Sequence, residues 1–195
     1  MPQIIEGGFL YIAQPPLYKV ARGKSEVYLK DEPALEDYLV ATGAEGAALR
    51  LGTGEEIAGA DLARVVAEAR AVRRILSAFP AHYPQRIVEQ AAIAGAFLPG
   101  RLEADLAGTA AAVAARLDAV AAEYERGWEG RPTQDAGLRL ARTLRGVEEV
   151  RTLEGPALRA PEARRLGTHS ESLAETYGRP ARLVRKDRES LVHGP

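Results

Sequence analysis

The apolar positions change their spacing several times along the chain, and each change predicts an element. Residues 9–13 (FLYIA) form a continuous apolar run. Pro15 and Pro16 interrupt it, and a Leu17-Tyr18-Lys19-Val20 run follows, turns at Arg22-Gly23 and returns through Val27, Tyr28 and Leu29. This pattern predicts a strand over 9–13 with a built-in kink, then a hairpin over 18–29. Proline cannot donate to a sheet ladder, so Pro15 and Pro16 are expected at a bulge, an edge or the strand's exit. A helix is expected to open at Pro33, because Asp31 or Glu32 offers an acceptor to free backbone N–H groups and proline fits the first turn. Leu35, Tyr38 and Leu39 give this helix one apolar face, and Gly43 and Gly46 end it.

Gly52, Gly54 and Gly59 mark an expected boundary, beyond which the composition shifts toward Ala and Arg. Leu62, Val65, Val66, Ala69, Val72, Leu76 and Phe79 recur at three-to-four spacing and predict a helix, with Arg64, Arg70, Arg73 and Arg74 off the stripe. Pro84 opens a second helix with Ile87, Val88, Ala91 and Ala94 inward and Gly95 as its stop. A longer stripe runs from Leu102 through Leu106, Ala110, Val113, Leu117 and Val120 to Tyr124. Its alanines allow a neighbouring helix to approach closely, while Gly108 within it costs about 1 kcal/mol of helix propensity. None of these helices can bury its stripe alone, so a helical layer is expected. Past Trp128 the period shortens. Leu138-Arg139-Leu140 alternates, Arg145-Gly146 turns, and Val150 and Leu153 anchor a returning strand. A helix is expected from Pro161 to Gly178, with Ala163, Leu166, Ser170, Leu173, Ala174 and Tyr177 inside. A last strand over 181–187 and a terminal segment over 188–195 follow. The expected class is α+β: short strands and a helix, then a mainly helical region carrying a β-hairpin.

Composition narrows the function classes. A chain of 195 residues with 46% hydrophobic content can bury one sizeable core or two small ones. Lys+Arg 26 against Asp+Glu 27 gives a net charge of -1, which argues against a free-standing domain that holds DNA by neutralising phosphates. Any DNA contact is expected to be local. With no cysteine, disulfides, thiolate metal sites and Cys nucleophiles are all excluded. No apolar run approaches the roughly 20 residues that cross a bilayer, and no signal pattern opens the chain, so a soluble, cytoplasmic protein is expected.

The candidate chemistry is sparse. His82, His169 and His193 have no ligand partners at i+3 or i+4, so surface or capping roles are expected of them rather than metal binding. Gly52, Gly54 and Gly59 lack the Lys-Ser/Thr pair of a phosphate loop and read as ordinary loop glycines. Glu148-Glu149 and Glu55-Glu56 are adjacent pairs, which in a strand point to opposite faces and cannot share an ion from one side. Tyr18 and Tyr124 have no evident activating base, so packing is expected of both. No catalytic residue, cofactor-binding residue or metal ligand is expected in this chain.

The run Tyr11-Ile12-Ala13-Gln14-Pro15-Pro16-Leu17-Tyr18-Lys19-Val20, followed by the basic turn and Tyr28-Leu29-Lys30-Asp31, resembles the B subunits of bacterial DNA gyrases, which are type IIA topoisomerases. In that family the segment follows the Mg2+-binding Toprim motif. The resemblance is specific over residues 1–40 and looser beyond. There it rests on an Arg-Thr-Leu-Arg-Gly-Val hairpin at 142–147, an Arg-Arg-Leu helix start at Arg164 and a closing Leu-Val-Arg-Lys-Asp strand at Leu183. It implies that residues 1–46 are the C-terminal part of a Toprim core, 47–178 an insertion domain and 179–195 a closing strand and exit segment. Met1 and Pro2 would then be internal to a longer chain. The resemblance also implies that the parent protein uses Mg2+ and ATP through motifs outside these residues. It further implies that the parent works with the gyrase A subunit on double-stranded DNA, while this stretch is inactive alone.

One local feature suits nucleic acid. Lys19, Arg22, Lys24 and Lys30 cluster around the predicted turn with Tyr18 and Tyr28 interleaved and Glu26 opposing them. In a gyrase they could meet DNA phosphates, which position a duplex without reading its sequence. A solvated basic hairpin accounts for the same residues. The rival to the gyrase reading is a stand-alone adaptor that binds another protein through its Ala-rich helices and shares only a strand motif with gyrase. If the N-terminal strands belong to a sheet completed elsewhere, an unpaired edge is expected to drive self-association.

Overall fold

The structure, a computed structural model, describes residues 2–9 and 15–195, and the chain divides into two units, Met1–Glu45 and Gly46–Pro195. It is α+β, with antiparallel sheets beside several helices.

The first unit contains α1 (Pro2–Glu6), the strands β1 (Tyr18–Arg22) and β2 (Ser25–Leu29), and α2 (Glu32–Ala44). Of the expected strand over 9–13, residues 10–13 lie outside the described residues. β1 and β2 pair antiparallel around Gly23, whose φ of 61° is the left-handed conformation that a two-residue hairpin turn demands. Asp31 caps α2 by accepting from the Ala34 N–H at 2.9 Å, with Pro33 in the first turn. No residue of α2 is buried, and Leu39, expected on its inner face, is 55% exposed.

The second unit opens with a hairpin that the glycines concealed: β3 (Ala47–Arg50) and β4 (Glu56–Ala58). Helix α3 (Gly59–Ser77) follows, then α4 (Gln85–Ile93), with Gly95 at φ 78° after it. The long stripe from Leu102 to Tyr124 is not one helix. It is divided into α5 (Arg101–Ala104) and α6 (Leu106–Ala119), and a single 3-10 turn covers Glu123–Glu125. Asp105 makes the break, because its carboxylate accepts from the Gly108 N–H at 2.7 Å and so caps a new helix. Gly108 is part of that cap, since a Cβ there would sit 1.9 Å from Asp105 Oδ2. Helix α4 packs on α6 as its alanines allow, and the strand β5 (Glu129–Pro132) approaches α6 as well. A Cβ on Gly130 would fall 1.9 Å from the Ala110 carbonyl oxygen.

β5 pairs with β6 (Leu138–Leu144), which pairs with β7 (Val147–Leu153) in a three-stranded antiparallel sheet. The β6–β7 turn falls at Arg145 and Gly146, with φ of 51° and 80°. A short α7 (Gly155–Leu158) leads to α8 (Pro161–Gly167) and α9 (Ser170–Tyr177), so the single helix expected from Pro161 to Gly178 is interrupted at Thr168 and His169. Ala174 is exposed and Thr176 takes the buried place beside Tyr177. The last strand, β8 (Ala181–Arg185), pairs with β3, and the segment after it turns back as β9 (Arg188–Val192). The resulting sheet runs β4-β3-β8-β9. The core joins α3, α4 and α6 to β6, α8 and α9 through Val72, Val88, Val113, Leu140, Leu166 and Leu173, each at most 2% exposed.

Candidate nucleic-acid interface

The hairpin register sorts the basic residues by face. Directly opposed residues on an antiparallel pair share a face, and successive residues alternate. Lys19 opposes Tyr28 and Ala21 opposes Glu26, so these four share one side. Tyr18, Val20 and Arg22 oppose Leu29, Val27 and Ser25 on the other. The second side is partly covered at Tyr18, Val20, Val27 and Leu29, while the first is exposed throughout.

On the exposed side, Lys19 Nζ lies 5.7 Å from the centre of the Tyr28 ring and 2.8 Å from Glu26 Oε1. Both partners of that ion pair are about half exposed (48% and 50%), so the attraction is screened and weak. A phosphate can therefore displace Glu26 at small cost. Lys24 is exposed on the turn itself, and Lys30, one residue past β2, is 3.8 Å from Asp31 and 83% exposed in its side chain. Arg22 belongs to the opposite side, 3.8 Å from Glu45. The structure thus joins Lys19 and Tyr28 in one exposed patch, sets Lys24 and Lys30 at its two ends, and separates Arg22 from it.

His82, His169, Glu68, Glu148 and Glu149 of the second unit are held in local contacts. His169 precedes α9 and its Nδ1 lies 2.9 Å from Glu68 Oε1, while the Ser172 hydroxyl donates to Glu68 Oε2 at 2.6 Å. Both partners converge on the carboxylate and not on each other, so serine and histidine are not arranged as nucleophile and base. This cluster pins α3 to the α8–α9 junction. His82 packs on Tyr83 with ring centres 4.0 Å apart. Glu148 pairs with Arg139 at 2.7 Å, whereas Glu149 pairs with Arg142 at 2.7 Å and Arg151 at 2.9 Å. Among the described residues, no group of three or more His, Cys, Asp or Glu is placed to hold a metal ion.

One cluster escaped the sequence reading. Arg116 is 8% exposed within α6. Its Nε donates to Gln90 Oε1 at 2.8 Å, Nη1 to the Gly178 carbonyl at 3.2 Å and Nη2 to the His193 carbonyl at 2.9 Å. Gln90, 1% exposed, also donates to the His193 carbonyl at 3.2 Å. Burial lowers the Arg116 pKa, opposed by the nearby Glu89. Burial also raises the pKa of Glu89 above its ordinary value, against Gln90, Arg86, Arg116 and Arg73. For His193 burial comes first and Arg116 and Arg86 add to it, all lowering its pKa. The signal was present in the spacing, because Arg116 falls on the apolar stripe between Val113 and Val120.

Comparison with known proteins places a basic hairpin followed by a capped helix in a defined class. A family model described as "GyrB, hook" matches residues 16–43, which take in β1, β2 and all but the last residue of α2. The DNA gyrase B subunit of Caulobacter vibrioides (strain NA1000 / CB15N) is 40% identical over all 195 residues, covering 23% of that protein. The DNA gyrase B subunit of Rickettsia bellii is 41% identical over 93 residues, which are 48% of this chain and 12% of that protein. That of Campylobacter jejuni is 50% identical over 46 residues, 24% of this chain and 6% of that protein. Along its whole length the chain is similar to a region of the DNA gyrase B subunit, and spans about 23% of the length of the Caulobacter relative. The similarity runs through the second unit as well, where an adaptor sharing only a strand motif would lose it.

Proposed function

We propose that this chain is a structural, DNA-positioning part of a gyrase B subunit and supports ATP-dependent negative supercoiling without catalysing a step itself. The observation that carries this is the identity to a gyrase B subunit along the whole chain. The exposed Lys19–Tyr28 face within the hook match supports a DNA contact. In this reading residues 1–46 are the C-terminal part of the Toprim core and 47–178 an insertion that buttresses it, with 179–195 as closing strand and exit segment. Partners are the gyrase A subunit and duplex DNA, in the cytoplasm. In this reading Mg2+ and ATP are used by other parts of the gyrase B subunit.

The test uses a gyrase B subunit carrying this segment, with Lys19 and Lys24 both changed to Ala. Phosphate contacts are sequence-independent, so binding should weaken nearly equally for all duplexes. The log-log salt slope should fall by about 0.9 for each phosphate that is no longer neutralised. An unchanged slope returns the patch to an ordinary solvated face. The isolated chain, with added A subunit, ATP and Mg2+, is expected to supercoil nothing; supercoiling by that mixture defeats the proposal.

A further inference from the structure

A cavity of about 180 Å³ lies in the second unit, between the start of α4, the end of α6 and the β5–β7 sheet. Its apolar wall is made by Ile87, Leu117, Ala121 and the indole of Trp128. Three arginines also line it, Arg86, Arg142 and Arg151, against one carboxylate, Glu149.

These charges are unequal in their commitments. Arg142 stacks on the Trp128 ring at 4.6 Å, donates from Nε to Glu149 Oε2 at 2.7 Å and donates to the Glu125 carbonyl oxygen. It is a wall of the cavity, with a side chain only 13% exposed. Glu149 is used on both oxygens, the second by Arg151 Nη2 at 2.9 Å. Trp128 is fixed from below, because Asp118 accepts from its backbone N–H at 3.1 Å and from that of Gly127 at 3.0 Å. Arg86 donates one N–H to the Val120 carbonyl at 3.1 Å and has Glu89 nearby on the same helix. Lining cations therefore exceed the lining carboxylate, and a guanidinium can offer two parallel N–H groups to a carboxylate. The start of α4 adds to this. Pro84 at its N-cap makes no side-chain capping bond and itself lines the cavity, so the positive end of this nine-residue helix lies at the same wall.

We infer that this cavity binds a small carboxylate with a flat apolar body, seated against Ile87, Leu117 and Trp128, its carboxylate held by Arg86 and Arg151. The site is separate from the basic hairpin and stands or falls independently of the gyrase proposal.

Trp128 is the one tryptophan of the chain, so indole fluorescence reports on this cavity alone. The full chain is titrated with benzoate, with benzyl alcohol as the uncharged counterpart and inorganic phosphate as an anion without an apolar body. Benzoate is expected to change the emission saturably, and both other probes to bind on the order of tenfold more weakly. Arg86→Gln and Arg151→Gln, each checked for an unchanged circular dichroism spectrum, should weaken benzoate on the order of tenfold. A linear, unsaturable response to benzoate overturns the inference. So does equal binding of benzyl alcohol, tighter binding of phosphate, or benzoate binding untouched in both folded variants.

Discussion

The two units differ in what holds them. Among the described residues of Met1–Glu45 none is buried, whereas Gly46–Pro195 carries a continuous core from Val72 to Tyr177. The first unit has a two-stranded sheet and a helix with a good cap. Local signals specify such elements, yet a lone hairpin is marginal in water without a third layer. The second unit has weaker local signals in places, such as the split stripe at Asp105, but each element there is fixed by burial. The family match on residues 16–43 thus falls where local sequence does most and packing least.

The largest expected effect tests the core side of this contrast. Leu140 and Leu166 are each 0% exposed, and truncation to Ala should cost about 2–5 kcal/mol through reduced burial and a residual cavity. Val20→Ala in the hairpin should cost under about 1 kcal/mol, since Val20 is only partly covered. Urea unfolding of the three variants decides it. Equal effects at Val20 and Leu140 would mean that the first unit has a core of its own.

The next effect comes from the buried arginine. Arg116→Met keeps most of the apolar stem but removes the Arg116 donors to Gln90 Oε1 and the Gly178 carbonyl, and leaves the His193 carbonyl with Gln90 Nε2 alone. Leaving buried acceptors unpaired should cost about 1–3 kcal/mol, and amide hydrogen exchange should rise first in β9 and the residues after it. A fall in stability spread evenly over the second unit, with no local opening of that segment, would mean that the Arg116 hydrogen bonds do not hold the C-terminal segment in place.

Much of this architecture was legible in the sequence where one short-range cause acts alone. Gly23 and Arg145-Gly146 announce hairpins, Asp31 announces a helix start, and the three-to-four spacing announces α3 and α4. The failures occur where two signals overlap. Asp105 and Gly108 look like blemishes in an apolar stripe because a cap inside a stripe breaks the helix without breaking its spacing. β3 and β9 flank β8, and β3 reaches it across most of the second unit, a register that no local pattern reports. Of the interface, the residue types were legible but their faces were not. Only the pairing of Lys19 with Tyr28 and of Arg22 with Ser25 shows that Arg22 lies on the other side.

A smaller effect is electrostatic. Burial raises the pKa of Glu89 in the folded state above its unfolded value, in spite of Gln90 and the three arginines around it. A raised folded pKa means that the carboxyl's favourable contribution is present below the unfolded pKa and is lost as pH rises through the folded one. Glu89→Gln, which keeps an acceptor for Gln90 Nε2, should therefore stabilise the chain at neutral pH by under about 1 kcal/mol. It should also flatten the stability profile above the ordinary carboxylate range. His193 acts with the opposite slope: its lowered pKa gives stability that is present above the unfolded value and lost on acidification. Destabilisation by Glu89→Gln at neutral pH would mean that its pairing with the arginines outweighs its burial.

The smallest expected change in unfolding is also the sharpest test of the contrast between the units. Every residue of the buried cluster lies at or beyond Val72, so a chain starting at Ala47 keeps that core whole. Its unfolding free energy in urea should match that of the second unit in the full chain to within about 0.5 kcal/mol. Association should differ. The outer edges of β1 and β2 have no strand partner among the described residues, and Ile5, Phe9, Leu17 and Tyr28 are 65%, 72%, 72% and 60% exposed. Unpaired edges and exposed apolar side chains favour pairing with a second copy. Light scattering should therefore find the full chain self-associated at about tens of micromolar, where a micromolar Kd is saturated, and the shortened chain monomeric. If both are monomeric, the edge is not adhesive. If the shortened chain unfolds, the second unit depends on the first and the contrast between them fails.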